Sequence, residues 1–124
     1  MNTKAKGARA ERALKKKLEE MGYIVVRSTA SLVFDLVAVN PCDGNVFFVE
    51  VKTIREGYWR ARNRRDKSQL ATLARLNNQV SNMYAMLAVY CQQIKRWYIY
   101  IPVERTTGKI ELIRTARLLG DAND

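Results

Sequence analysis

Two acidic residues stand where an apolar sequence should exclude them. Asp35 interrupts Phe34-Asp35-Leu36-Val37-Ala38-Val39, and Glu50 interrupts Phe47-Phe48-Val49-Glu50-Val51. Both runs are rich in β-branched and aromatic residues, so both read as strands. Between them lies Asn40-Pro41-Cys42-Asp43-Gly44-Asn45, a dense turn signal. Residues 34–39 and 46–53 are therefore expected to pair as a hairpin. A buried carboxylate without a partner is costly, so the fold must bring something to these two positions.

Strand geometry narrows what that is. Side chains alternate between faces, so Glu50 and Lys52 share one face, and a suitable register turns Asp35 to it as well. Two carboxylates and an ammonium would then converge. Such a set suits Mg²⁺, which takes oxygen ligands and often binds through one or two carboxylates plus a phosphate. The backbone carbonyl of Val51 is a further candidate ligand. A cation held there offsets charge developing on a phosphodiester and acidifies a water molecule. Lys52 could orient or deprotonate that water, or stabilise the transition state. The competing explanation is a buried acid–lysine ion pair that ties strands together.

The rest of the chain supplies the frame. Ala10, Leu14, Leu18 and Met21 recur at helical spacing, predicting a helix over 6–21 that stops at Gly22. Residues 23–26 read as a strand and 28–31 as a polar loop. Residues 55–67 are basic and lack a period, which suggests a loop or mobile arm. A second helix is expected over 67–80, with Leu70, Leu73, Leu76 and Val80 on one side. Two strands follow at 83–91 and 96–101, divided by Gln92-Gln93-Ile94-Lys95. The segment 109–119 allows a short strand and a helical turn. The order α-β-β-β-α-β-β points to an α/β fold, a mixed central sheet flanked by helices. With 124 residues, one domain over 1–124 with short loose ends is expected.

Charge names the partner class. Lys and Arg total 22 against 12 acids, a net +10. Such an excess favours an anionic partner, nucleic acid foremost. No apolar run approaches the length of a membrane span, and the first residues lack a signal peptide's apolar core, so a cytoplasmic protein is expected. Cys42 and Cys91 lie far apart without CxxC spacing, which disfavours a zinc site or disulfide framework. The chain contains no histidine, excluding Ser-His triads, His-metal nucleases and HExxH proteases.

Further polar residues gather around the two acids. Glu11 lies about 20° around its helix from Leu18, on the apolar side. It is either a direct or supporting acid of the strand site or a favourable acid near a helix start. Arg55, Arg60, Arg62, Arg64, Arg65 and Lys67 crowd one stretch, with Tyr58 and Trp59 among them. Arginine forks grip phosphates, and rings can stack on unpaired bases. Lys4, Lys6, Arg9 and Arg12 form a second basic group. Two basic regions flanking a site suit a long, bent or branched nucleic acid; a solvated charge run is the plainer alternative. Arg27, Ser28 and Ser31 lie near the start of the Asp35 strand, where they could hold a phosphate.

These residues together resemble the archaeal-type Holliday junction resolvases, also found in archaeal viruses and phages, of the PD-(D/E)xK nuclease superfamily. The likeness runs through Lys6-Gly7-Ala8-Arg9-Ala10-Glu11-Arg12, Gly22-Tyr23, Val26-Arg27-Ser28, Ser31, Asp35-Leu36-Val37-Ala38 and Glu50-Val51-Lys52. After Ile54 it is looser, through the basic loop, Leu87-Ala88-Val89 and Trp97-Tyr98-Ile99. Two positions depart from the pattern: Ala30 replaces a loop glycine, and Tyr90 stands where a lysine is usual.

The resemblance implies a restriction-endonuclease-like fold. It also implies a homodimer that makes paired cuts in opposing strands of four-way DNA, in recombination and repair, with Mg²⁺ or Mn²⁺. It assigns Glu11, Asp35, Glu50 and Lys52 to catalysis, Asp35 and Glu50 to the metal, and Arg12, Arg27, Ser28 and Ser31 to phosphate handling. Leu112, Ile113, Leu118 and Leu119 are apolar residues expected to serve the dimer. A less selective nuclease for flaps, mismatches or other branched DNA, or a catalytically silent DNA-binding module, are the other readings.

Overall fold

The computed structural model describes residues 3–28, 34–77 and 81–120, with the side chains of 3–6 outside the description. The elements run α1 (Thr3–Glu20), β1 (Ile24–Arg27), β2 (Leu36–Val39), β3 (Val46–Ile54), α2 (Arg64–Asn77), β4 (Met83–Cys91), β5 (Arg96–Glu104) and β6 (Ile110–Arg114). Among the described residues, six strands form one sheet in chain order. Every neighbouring pair is antiparallel except β3 and β4, which are parallel and joined through α2. The expected hairpin is present, with Leu36 opposite Val49 and Val39 opposite Val46. Asn40 closes its turn: the Asn40 N–H donates to the Asn45 carbonyl at 2.9 Å, and Asn40 Oδ1 accepts from the Cys42 N–H at 2.9 Å.

The two helices cover opposite faces. Along β4, Met86 and Ala88 join one apolar cluster while Leu87 and Val89 join another. The first cluster receives Ala10, Leu14 and Leu18 from α1, packed on Val25, Leu36, Ala38, Phe47, Val49 and Val51. The second receives Leu70 from α2, with Trp59, Tyr98 and Tyr100 against it. Helix α1 thus buries Ala10, Leu14 and Leu18 of the stripe its periodicity announced, and α2 buries Leu70 and Leu73 of its own.

Several boundaries move, each for a local reason. Helix α1 begins at Thr3, three residues before the expected start, and ends in a Schellman turn. There the Tyr23 N–H donates to the Leu18 carbonyl at 3.1 Å and the Gly22 N–H to Glu19 at 3.0 Å, with Gly22 at φ 101°. Met21 lies past that end and is 47% exposed, so it leaves the apolar stripe.

Helix α2 begins at Arg64 rather than Lys67, because Asn63 caps it. Asn63 Oδ1 accepts from the Asp66 N–H at 2.9 Å, and Asp66 Oδ2 accepts from the Arg62 N–H at 3.1 Å. The stretch 55–63 is not a free arm, since Trp59 and Ala61 pack on the second cluster. Leu76 is only half-buried, and Val80 lies outside the described residues.

The ambiguous C-terminal stretch resolves into β6 and a turn. That turn places Leu118 and Leu119, 0% and 2% exposed, in the α1-side core. Neither leucine is therefore available to a partner, which corrects the expectation that both serve a dimer. Ile113 remains 40% exposed.

Candidate active site

The site gathers at the C-terminal end of β3. Glu50 pairs with Leu87 and Lys52 with Val89 across the parallel ladder, so both side chains stand on the α2 face. Glu50 is 6% exposed and is the charged residue buried among the described residues. Lys52 Nζ lies 3.5 Å from Glu50 Oε1 and donates to Gln69 Oε1 of α2 at 3.2 Å. Gln69 is a site neighbour that sequence reasoning missed. Its only signal was its place one residue before the buried Leu70, which leaves it near the edge of the packed helix face.

Asp35 is turned differently from the expectation. The chain bends there, just ahead of β2, and the Asp35 N–H donates to the Val49 carbonyl at 2.8 Å. Its carboxylate reaches into the plane of the sheet, where Oδ2 accepts from the Val51 N–H at 2.7 Å. It therefore stands between the two faces rather than on that of Glu50. From this position its charge reaches both Glu50 and Glu11. Carbonyls two residues apart on a strand point to one edge. Since Val49 offers its carbonyl to Asp35, Val51 turns its own to the same side.

Glu11 approaches from the other layer. It sits in the middle of α1, too far from the helix start for the end-dipole explanation, which fades within a turn. Its Oε2 accepts from Arg27 Nε at 3.0 Å, tying the helix to the end of β1. Burial raises its pKa, the Arg27 hydrogen bond opposes, and the Asp35 charge raises it further. The Ser28 N–H donates to the Asp35 carbonyl at 2.8 Å, so Arg27 and Ser28 both flank Asp35's segment. Ser31 lies outside the described residues.

The electrostatics separate the two explanations of the buried acids. Burial, and next the charge of Asp35, push the Glu50 carboxyl up to about 8, while Lys52 pulls it down without prevailing. A structural ion pair should hold its carboxylate charged; this one fails to do so near neutral pH. A divalent cation between Glu50 and Asp35 would remove the repulsion that raises it. The donors are hard oxygens: two carboxylates and the Val51 carbonyl. Among the described residues, no three Asp, Glu, Cys or His side chains form a ready-made metal cluster. The set fits a cation that keeps several waters, as Mg²⁺ does.

The basic residues of the two groups form an exposed rim. Arg9 and Arg12 on α1, Arg55, Arg60 and Arg62 in the loop, and Arg64, Arg65 and Lys67 on the first turns of α2 are all exposed. The side chains of Lys4 and Lys6 lie outside the description. A groove of about 370 Å³ runs beneath the loop, lined by Arg55, Tyr58, Trp59, Arg60 and Arg62. Tyr58 is 78% exposed, whereas Trp59 is half-buried against the core and so less free to stack than expected.

A family model described as archaeal Holliday junction resolvase (Hjc) matches residues 2–116. The chain belongs to the archaeal Holliday junction resolvase family. Among solved structures, this resolvase-family chain is similar to Hjc from Archaeoglobus fulgidus, described as a Holliday junction resolvase from an archaeal hyperthermophile. The two share 25% identity and a TM-score of 0.58, over 91% of this chain and 87% of that one. It is also similar in fold to the bacterial homing endonuclease I-Ssp6803I, with 22% identity and a TM-score of 0.52, over 81% of this chain and 65% of that one. No curated protein sequence matches it. The fold is the restriction-endonuclease-like mixed sheet that the family resemblance implies, extended by β6. No helix among the described residues is long and apolar enough to cross a membrane.

Proposed function

We propose that this chain is a structure-selective DNA endonuclease that resolves four-way junctions. In this reading it is a single nuclease domain, acts as a homodimer in the cytoplasm, and uses Mg²⁺, with Mn²⁺ as a substitute, to hydrolyse one phosphodiester in each of two opposing strands. Family membership supports the junction as substrate. One observation carries the metal-dependent chemistry: Glu50 is buried beside Asp35, with its carboxyl raised to about 8 despite an ammonium 3.5 Å away.

Asp35, Glu50 and the Val51 carbonyl would hold the cation, which when bound supplies charge neutralisation and an acidified water. The residues of the chain do the rest. The Val51 N–H orients Asp35 through its 2.7 Å hydrogen bond. Gln69 steadies the Lys52 ammonium, which donates to the attacking water or to a phosphate oxygen as negative charge develops. Glu11 positions Arg27, whose guanidinium would bind a neighbouring phosphate together with Ser28, a role the family resemblance extends to Ser31. Arg12, the loop arginines, Lys67 and the α1 cations Lys4, Lys6 and Arg9 hold the arms of the junction.

A panel of labelled four-way junction, flap, mismatch and linear duplex tests this. Paired symmetric nicks confined to the junction are expected with Mg²⁺. Equal cutting of every branched substrate would establish a less selective nuclease, and binding without any cutting would leave a DNA-binding module. Light scattering at micromolar concentration should give twice the 14.3 kDa chain mass, and a monomer would defeat the dimer.

A further inference from the structure

Of the large hydrophobic side chains left in water among the described residues, Tyr58 is the most exposed, at 78%, and the only aromatic one. It stands on the loop 55–63 that joins β3 to α2. Arg55, Arg60 and Arg62, all exposed, line with it one groove of about 370 Å³. A solitary exposed apolar residue is ordinary, as Met21 and Ile94 are here. A bare ring set among three guanidiniums is a different arrangement: it offers a stacking face and an anion grip side by side.

The loop that carries the ring is anchored on both sides of it. At its start, the Gln92 N–H donates to the Ile54 carbonyl and the Gln93 N–H to the Arg55 carbonyl, both at 2.9 Å. Gly57, at φ 76°, makes the turn just before the ring. Trp59 and Ala61 then pin the chain to Leu70, Leu87 and Val89. At its end, Asp66 Oδ2 accepts from the Arg62 N–H at 3.1 Å, which commits that acid of the groove to the backbone. Glu56, the other acid of the groove, is exposed and therefore screened. With Trp59 turned inward and Tyr58 outward, little of the loop remains to be ordered when something binds.

A duplex leaves such a ring unused, because its base faces are stacked on one another and only edges and phosphates are open. The groove is also small, at the low end of ligand sites, and admits about one nucleotide rather than a helix. We propose that it binds one unpaired nucleotide, the base stacked on Tyr58 and the flanking phosphates held by Arg55, Arg60 and Arg62. The site deepens the nuclease reading and rests on it, by naming what the loop arginines hold. An unpaired base at a branch point is already out of its stack, so capturing it costs least there. Tyr58 thereby favours branched over linear DNA. It lies six residues after Lys52, so the two Cα atoms are at most about 22 Å apart and the captured strand stays near the proposed chemistry.

The test uses the full chain in EDTA and two probes, a fluorescein-labelled oligothymidylate and a linear duplex of equal length, read by anisotropy. Tyr58→Ala removes the ring and Tyr58→Phe keeps it; at 78% exposure neither disturbs the core. Oligothymidylate affinity should fall about 5- to 100-fold in Tyr58→Ala and stay within about twofold in Tyr58→Phe. Duplex affinity should stay within about twofold in both, since no base face is open to the ring. The salt slope for oligothymidylate should be unchanged in Tyr58→Ala and shallower by about 0.7 in Arg60→Ala, because only the second loses a phosphate contact.

No binding of oligothymidylate by the wild type, or equal binding by Tyr58→Ala, would overturn the site. An equal loss on duplex would do the same, by making Tyr58 a general contact. A shallower salt slope in Tyr58→Ala would assign its loss to displaced arginines and overturn the stacking. Binding in EDTA needs no cleavage. A wild type that cuts no DNA in Mg²⁺, with oligothymidylate binding lost in Tyr58→Ala, therefore keeps the site and loses the nuclease reading. A wild type that cuts junctions, with Tyr58→Ala binding oligothymidylate equally well, does the reverse.

Discussion

The acid pocket and the basic rim are both charged, and they could hardly differ more in how they carry charge. Glu50 and Lys52 sit 3.5 Å apart near the end of β3, and Asp35, just ahead of β2, is held beside them by the Val51 N–H at 2.7 Å; Glu50 is buried and the other two are half-buried. Arg9, Arg12, Arg55, Arg60, Arg62, Arg64, Arg65 and Lys67 stand in solvent. A buried charge is strongly perturbed by each neighbour, so every atom in the pocket is specific to its place. An exposed charge is screened and largely replaceable, so the rim works by sum. Chemistry should thus fail by single substitutions in the pocket, whereas DNA affinity should erode by increments at the rim.

The sharpest way to break that division is Asp35→Asn. It is expected to lower cleavage by about 10³-fold or more while four-way junction binding persists, as measured by nicking and gel shift on the same samples. Cleavage near wild type in Mg²⁺ would end the metal-site account.

Glu50→Gln probes the same pocket through pH. Because the folded Glu50 titrates near 8, above its unfolded value, the metal-free folded state holds a proton that the unfolded chain has released. The stability associated with that proton is intact below about pH 4 and is lost as pH rises toward 8. Wild-type chemical denaturation in EDTA should therefore weaken between pH 5 and 8, by on the order of 2–4 kcal/mol. Glu50→Gln should flatten that slope and abolish cleavage. Mg²⁺ should restore the wild type most strongly at pH 8, since binding must displace the proton. A pH-independent metal-free stability would mean that Glu50 is already charged.

Gln69→Leu tests whether support from α2 matters. A drop in cleavage of about tenfold is expected, with binding unchanged, since only the aim of Lys52 is lost. At the rim, Arg60→Ala or Arg62→Ala should weaken junction binding a few-fold and lower the salt slope by about one each, leaving the rate at saturating protein intact. A rim variant that abolished cleavage at saturation would dissolve the distinction.

Much of the pocket is legible in the amino-acid pattern. Asp35, Glu50 and Lys52 draw notice because each breaks an apolar strand, and period-two alternation already puts Glu50 and Lys52 together. The hairpin follows from the Asn40–Asn45 turn. The capped start of α2 is also written there, in Asn63 and Asp66 three residues apart, but the basic run around them masks it. Leu118 and Leu119 mislead because an apolar pair beyond the last strand looks alike whether it seals its own core or meets a partner.

Local pattern thus determined element types, the misplaced acids and the partner class, because alternation, turn chemistry and net charge are properties of neighbours in sequence. Tertiary structure alone decided that Asp35 turns into the sheet plane toward Val51, that Glu11 reaches the site from the opposite layer through Arg27, and that Gln69 holds Lys52. It also left the Thr53 hydroxyl oxygen buried without a partner. Each of these depends on groups brought together across layers or strands, where packing sets the distance and no local periodicity records it.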